Sequence, residues 1–144
     1  MSADGLFVYG SLREGGSREN WLQRTHPEGR CRAWIPGRLF QLPNGDAALV
    51  PAADPESPPP GPGWVTGDFV GYDDEEALDS AVADLDPLEG VEEELYLRRL
   101  LPVVLDSGHH YEAWAYVFPE ERLPRLLREA VELPDGDWGP YLAE

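Results

Sequence analysis

Two short segments of this chain hold groups that could do chemistry. The first is Tyr9-Gly10-Ser11-Leu12-Arg13, which follows the apolar run Leu6-Phe7-Val8. That run reads as a buried strand. A strand that stops at Gly-Ser turns its next main-chain N–H groups out of the ladder, where they can converge on an anion. Glycine at 10 admits a backbone conformation that a side chain would hinder. An ordinary strand-to-loop turn has the same composition, so the segment alone does not establish a site. The second is Glu89, in Leu85-Asp86-Pro87-Leu88-Glu89-Gly90-Val91. A carboxylate held between Leu88 and Val91 could be partly buried, an environment that suits a general base. Its acidic neighbours Glu92, Glu93 and Glu94 allow the plainer reading of a solvated glutamate.

Other chemistry has less support. Ser11 has no nearby histidine–acid pattern. His26, His109 and His110 lack the spacing of a metal-binding helix motif, and the last two fall in a predicted hairpin turn. Cys31 is the single cysteine, which excludes a disulfide within the chain and a cysteine-rich zinc site. Arg30 and Arg32 flank it and could lower its pKa, yet no motif surrounds it. All 11 basic residues are arginine, so a lysine Schiff base and a lysine-bearing phosphate loop are both excluded. Trp21, Trp34, Trp64, Trp114 and Trp138 are spaced as core anchors.

The formal net charge is −17, and such a field repels phosphate backbones and anionic lipid. Neither nucleic acid nor membrane is therefore an expected partner. The acidity fits a solvated surface, including one adapted to high salt, and it also fits attraction of a cationic substrate or amine product. No stretch approaches the roughly 18 apolar residues of a membrane span. The first residues carry no basic leader, so a reducing cytoplasm is the expected location. The 144 residues suit one domain, 1–144, with a single continuous core. Composition says nothing about the oligomeric state.

These candidate groups need elements to position them. After the first strand, Ser17 could cap a short helix carrying Trp21 and Leu22. A strand over 32–42, interrupted at Pro36-Gly37, leads to a tight turn at Asn44-Gly45 and a strand over 47–50. Five prolines between 51 and 63 mark an extended surface loop. A strand over 64–72 precedes a helix capped by Asp73 or Asp74 and reaching about residue 84. Asp73 with Glu76 matches a capping box, and Ala77, Leu78, Ala81, Val82 and Leu85 form its apolar stripe. Pro87 should stop that helix. Residues 95–105 and 111–118 read as a hairpin around Asp106-Ser107-Gly108, with Pro102 marking a bulge or an edge. Residues 123–131 read as a short amphipathic helix, and 135–138 as a turn anchored by Trp138. Mostly strands with one marked helix predict a mixed or antiparallel sheet that could close as a small barrel.

Taken together, these segments resemble the gamma-glutamylcyclotransferase-like family, and within it the gamma-glutamylamine cyclotransferase branch. The matching pieces are Phe7-Val8-Tyr9-Gly10-Ser11-Leu12-Arg13, Pro36-Gly37-Arg38-Leu39-Phe40, Val50-Pro51 and Gly67-Asp68-Phe69. Leu85-Asp86-Pro87-Leu88-Glu89-Gly90, Tyr96 with Arg98, and Ala113-Trp114-Ala115-Tyr116-Val117 complete them. The resemblance implies an α+β fold, a small mixed β-barrel flanked by short helices, with a cavity at one end. It implies Glu89 as the catalytic glutamate, general base and then acid, and a substrate site formed by Tyr9, Gly10, Ser11 and Leu12. Tyr96, Arg98 and Tyr116 match motif positions that either support the pocket or touch the substrate. The implied substrate is a small γ-glutamyl amide whose α-amine attacks its own γ-carbonyl, giving 5-oxoproline and a free amine. Neither metal nor organic cofactor is required by that chemistry. A non-catalytic small-ligand-binding module on the same fold is the competing reading, and the identity of the leaving amine is not legible.

Overall fold

The architecture turns on one long strand. In the computed structural model, β2 runs unbroken from Gly29 to Gln41. The structure describes residues 3–10, 12–13, 19–43, 45–53, 55–61, 63–91, 95–134 and 136–138. The expected interruption of β2 at Pro36-Gly37 is instead a change of partner. Pro36 is the last residue to pair with β4 (Trp64–Gly71), and Gly37 is the first to pair with β3 (Ala47–Pro51). Proline has no N–H to give a ladder, so it is tolerated where one partner leaves and another arrives. The Gly37 N–H turns to the Gly63 carbonyl at 2.9 Å, and the Pro36 carbonyl accepts from Ala52 at 3.2 Å.

The remaining strands close a barrel. β1 (Gly5–Val8) lies antiparallel to β4 and parallel to β6 (His110–Val117). β6 pairs antiparallel with β5 (Leu97–Leu105), and β5 returns to β2 at Ala33–Leu105 and Trp34–Val104. The ring β2-β4-β1-β6-β5 is thus closed, with β3 and the short β7 (Val131–Leu133) on the far half of β2. It is the mixed β-barrel of an α+β fold. Pro102 sits opposite Glu112 in an unbroken β5–β6 register, so there is no bulge there. Because β5 meets β2 only at its last two residues, Pro102 lies on an unpaired edge, where a missing donor costs nothing.

Phe7, Ala33, Ile35, Leu39, Leu49, Val65, Val103, Ala115 and Val117 fill the barrel, and Trp138 joins them. A second apolar layer lies outside it. There Leu78, Val82 and Leu85 of α2 (Glu75–Leu88) cover Leu6, Val8 and Val70. The cap of α2 is Asp74, whose Oδ1 accepts from the Ala77 N–H at 2.8 Å, so the box centred on Asp73 does not form. α2 also runs past its expected end and includes Pro87 in its last turn. One proline there removes a single bond, and the Glu89 N–H still reaches the Leu85 carbonyl at 3.1 Å.

α1 (Glu19–Gln23) buries Leu22, as the sequence pattern requires; its proposed cap, Ser17, lies outside the described residues, as does Asn44 of the first turn. Near the end of the chain a 3₁₀ turn (Glu120–Arg122) leads into α3 (Leu123–Glu129). α3 is shorter than expected because Val131 belongs to β7, and it packs Leu126 on Phe40 and Ala48. Among the described residues no helix is long and apolar enough to cross a membrane.

Candidate active site

The C-terminus of α2, the end of β1 and the start of β3 meet around four side chains. Glu89 is the C-cap of α2 and is half-buried. Gly90 follows with φ +68°, a left-handed conformation that lets the chain leave the helix at once. Glu89 is thereby held at a defined corner. Its charge is felt by the Tyr9 and Tyr116 phenols, both of which it helps to raise.

Tyr9 is buried, and its hydroxyl is engaged with main chain. It donates to the Tyr116 carbonyl at 2.6 Å and accepts the Leu49 N–H at 3.2 Å. Burial holds its pKa well above the usual tyrosine value, with Tyr96 and Glu89 adding to the rise. Tyr96 is also buried and donates to the Ala47 carbonyl at 2.6 Å, its ring edge-on to Phe118 at 6.4 Å. The Phe118 N–H in turn donates to the Leu49 carbonyl at 2.9 Å. Three contacts from different elements thus fix residues 47–49 beside the turn after β1.

Tyr116 points to the α2 side. Its hydroxyl donates to Asp86 Oδ1 at 2.7 Å, and Arg98 Nε donates to the same oxygen at 2.9 Å. The Arg98 guanidinium lies over Trp114, 4.5 Å from the ring centre. Burial first and the hydrogen bond to Asp86 second push the Tyr116 phenol far upward. Asp86 is the residue that the sequence reading missed. The available signal was its place three positions before Glu89, the spacing that puts two helical side chains on one face.

The turn after β1 is closed by the Arg13 N–H on the Gly10 carbonyl at 3.0 Å. Gly10 is not in a left-handed conformation, contrary to the expectation of backbone freedom. Its requirement is space: a Cβ at this position would stand 3.0 Å from the Ala47 Cβ. Leu12 is buried in the layer beneath α2, with Leu85, Tyr96 and Tyr116. Ser11 lies outside the described residues.

Two other sequence candidates lie elsewhere. His109 and His110 are exposed at the β5–β6 turn. Cys31 lines an open groove of about 310 Å³ with Glu28, Arg30, Phe69 and Leu105, which shares no residue with the Glu89 corner. Its thiol is not activated by the flanking arginines: burial raises its pKa, and Asp106 and Asp68 add to the rise. Among the described residues no group of three or more His, Cys, Asp and Glu side chains could hold a metal ion.

The fold is a closed five-stranded barrel flanked by short helices. The sequence of residues 6–140 matches the family described as gamma-glutamyl cyclotransferase, AIG2-like, and the chain belongs to that family. No curated protein matches it. Solved structures share the fold at low identity. YkqA from Bacillus subtilis is 20% identical with a TM-score of 0.64 over 98% of this chain. This chain spans only 41% of that protein. An aig2-like protein from Mus musculus is 20% identical, TM-score 0.58, over 85% of this chain and 84% of its own. A gamma-glutamyl cyclotransferase is 17% identical, TM-score 0.57, over 82% of this chain and 68% of its own.

Proposed function

We propose that this chain is a γ-glutamyl cyclotransferase that releases 5-oxoproline and a free amine from a γ-glutamyl amide. The observation that carries the reading is the family match over residues 6–140, within which Glu89 stands at the C-cap of α2 and Gly10 opens the turn closed by the Arg13 N–H. The putting together of a carboxylate and a turn of main-chain donors is what the reaction needs.

The substrate α-amine is protonated in water and must lose a proton to attack. Glu89 takes that proton, the nitrogen adds to the γ-carbonyl carbon, and a five-membered ring closes. Closure is intramolecular, so holding the chain folded supplies much of the rate. The carbonyl oxygen becomes an oxyanion, for which main-chain N–H groups of residues 10–12 are the proposed donors. Collapse breaks the bond to the leaving nitrogen, which receives the proton held by Glu89; the ring nitrogen gives up its second proton, which the released amine carries away as an ammonium, and Glu89 is again a carboxylate. Tyr9, Tyr96 and Tyr116 are assigned to shaping the wall, because their hydroxyls are spent on Tyr116, Ala47 and Asp86.

The test is a panel of γ-glutamyl amides assayed for 5-oxoproline, with Glu89→Gln beside the native chain. The expected loss for the variant is on the order of 10² to 10⁴ in kcat with an unchanged or raised thermal midpoint. Saturable binding of these amides with no 5-oxoproline from the native chain would replace this reading with that of a binding module.

A further inference from the structure

A chain of five charges, alternating in sign, runs beneath the turn after β1. Glu19 of α1 meets Arg30 Nη1 of β2 at 3.4 Å, and the same nitrogen lies 3.6 Å from Asp68 Oδ2 of β4. Asp68 Oδ1 is 3.9 Å from Arg13 Nε, and Arg13 Nη1 is 2.7 Å from Asp137 Oδ1. Arg13 links the last two carboxylates of this chain, Asp68 and Asp137, and is only 4% exposed. Its main chain closes the turn on Gly10, while its guanidinium reaches β4 and the segment 136–138. That segment is itself docked on β4, the Thr66 N–H donating to the Gly136 carbonyl at 2.7 Å.

We propose that Arg13 is a positioning residue for the reaction, and that Asp137 acts on the site through it. The inference rests on the assignment of residues 10–12 as substrate donors. Leu12 holds one side of the turn in the apolar layer under α2, and Arg13 holds the other by charge. Arginine suits the task because its planar fork spaces its donors widely in fixed directions toward two carboxylates, whereas a lysine ammonium offers its three donors from a single point. A buried charge must keep its partners, so the guanidinium stays where Asp68 and Asp137 hold it. The turn is thereby anchored from both sides, and a small displacement of the donors has a large effect on rate. The device makes a segment near the end of the chain part of the catalytic corner without touching the substrate.

The experiment compares Arg13→Met, Arg13→Lys, Asp137→Asn and the double variant Arg13→Met/Asp137→Asn with the native chain. It measures kcat, KM, the pH profile of kcat/KM, the thermal midpoint and the affinity for 5-oxoproline by calorimetry. Arg13→Met is expected to lower kcat/KM by about tenfold or more, with Arg13→Lys intermediate and the pH limbs unmoved because Glu89 is intact. Asp137 is partly exposed, so Asp137→Asn should keep the fold and still lose about threefold or more. The double variant should be no worse than Arg13→Met alone, since both act through one contact. Glu132→Gln, which breaks the exposed Arg38–Glu132 pair of β2 and β7, is the control expected to leave kcat/KM unchanged.

Native kcat/KM in folded Arg13→Met overturns the proposal. If Arg13→Met does not fold, native kcat/KM in Asp137→Asn overturns it. If the native chain forms no 5-oxoproline from any amide, the cyclotransferase reading fails by itself. The calorimetry then decides whether Asp137 acts through Arg13 on the turn as a ligand site: 5-oxoproline affinity weakened by Asp137→Asn upholds that action, and affinity equal to the native chain's, or absent from it, overturns it.

Discussion

The hydroxyl of Tyr9 donates to the main-chain carbonyl of Tyr116 at 2.6 Å, joining positions 107 apart in sequence. The same oxygen accepts the Leu49 N–H at 3.2 Å, so one phenol ties β1, β3 and β6 at the mouth of the barrel. Tyr9→Phe keeps the ring in place and removes both bonds, leaving a buried N–H and a buried carbonyl short of a partner. A stability loss of about 1–3 kcal/mol is expected in chemical denaturation. A change within error of zero would show that the oxygen is not the tie.

The same burial sets the alkaline limit of the fold. Tyr9 and Tyr116 both have pKa values above the ordinary 10.0, for which burial is the first cause. Below pH 10 neither the folded nor the unfolded chain ionises them, and their contribution is fully present. As pH rises past 10 the unfolded chain releases its protons first, so it gains on the folded state. Each phenol then costs about 1.4 kcal/mol per pH unit until its folded pKa is reached. Tyr72, raised mainly by burial as well, adds to this limb. Denaturation curves collected across the alkaline range should show the decline, and Tyr116→Phe should make it shallower. A flat profile would mean that these phenols are wet.

Sequence patterns gave the frame of this chain where one periodicity had no rival. The stripe Leu78, Val82, Leu85 could serve only as a helix face, and residues 97–105 with 110–117 could pair only as a hairpin. Pro36-Gly37 misled because a proline breaks a strand only where a neighbouring strand needs its N–H, and partner exchange is a tertiary event. The barrel closure through β2 and β5 rests on two residue pairs, too few to leave a pattern. At the candidate site, Glu89 and the turn after β1 stood out by type and flanking glycine. The pairing of Arg13 with Asp68 and Asp137 did not, because ion partners 55 to 124 positions apart carry no local spacing.

Asp86 offers one oxygen to two donors, the Tyr116 hydroxyl at 2.7 Å and Arg98 Nε at 2.9 Å. Removing it releases both donors and leaves Arg98 with its stack on Trp114. Asp86→Ala is expected to lose about 1–3 kcal/mol, because a buried hydroxyl loses its acceptor and a cation its partner. Tyr116→Phe removes only one donor and leaves Asp86 with Arg98, so its cost should be smaller. If the two substitutions cost the same, Arg98 contributes nothing through Asp86. A double-mutant cycle with Arg98→Met measures that share directly.

Cys31 lies between two arginines in sequence, and that neighbourhood would favour a thiolate if the side chains faced the sulfur. The fold places Asp106 and Asp68 within electrostatic reach instead, and with burial they raise the thiol above its ordinary 9.0. The thiolate is the reactive form, so at neutral pH it should be under about one part in a hundred of the folded chain. Alkylation by iodoacetamide should therefore be slow in the native protein, faster once the chain is unfolded in urea, and still rising with pH beyond 9. Asp106→Asn removes the larger of the two carboxylate contributions and should speed the native reaction at fixed pH. Rapid labelling of the folded chain at neutral pH, with no gain on unfolding, would contradict this account of the thiol.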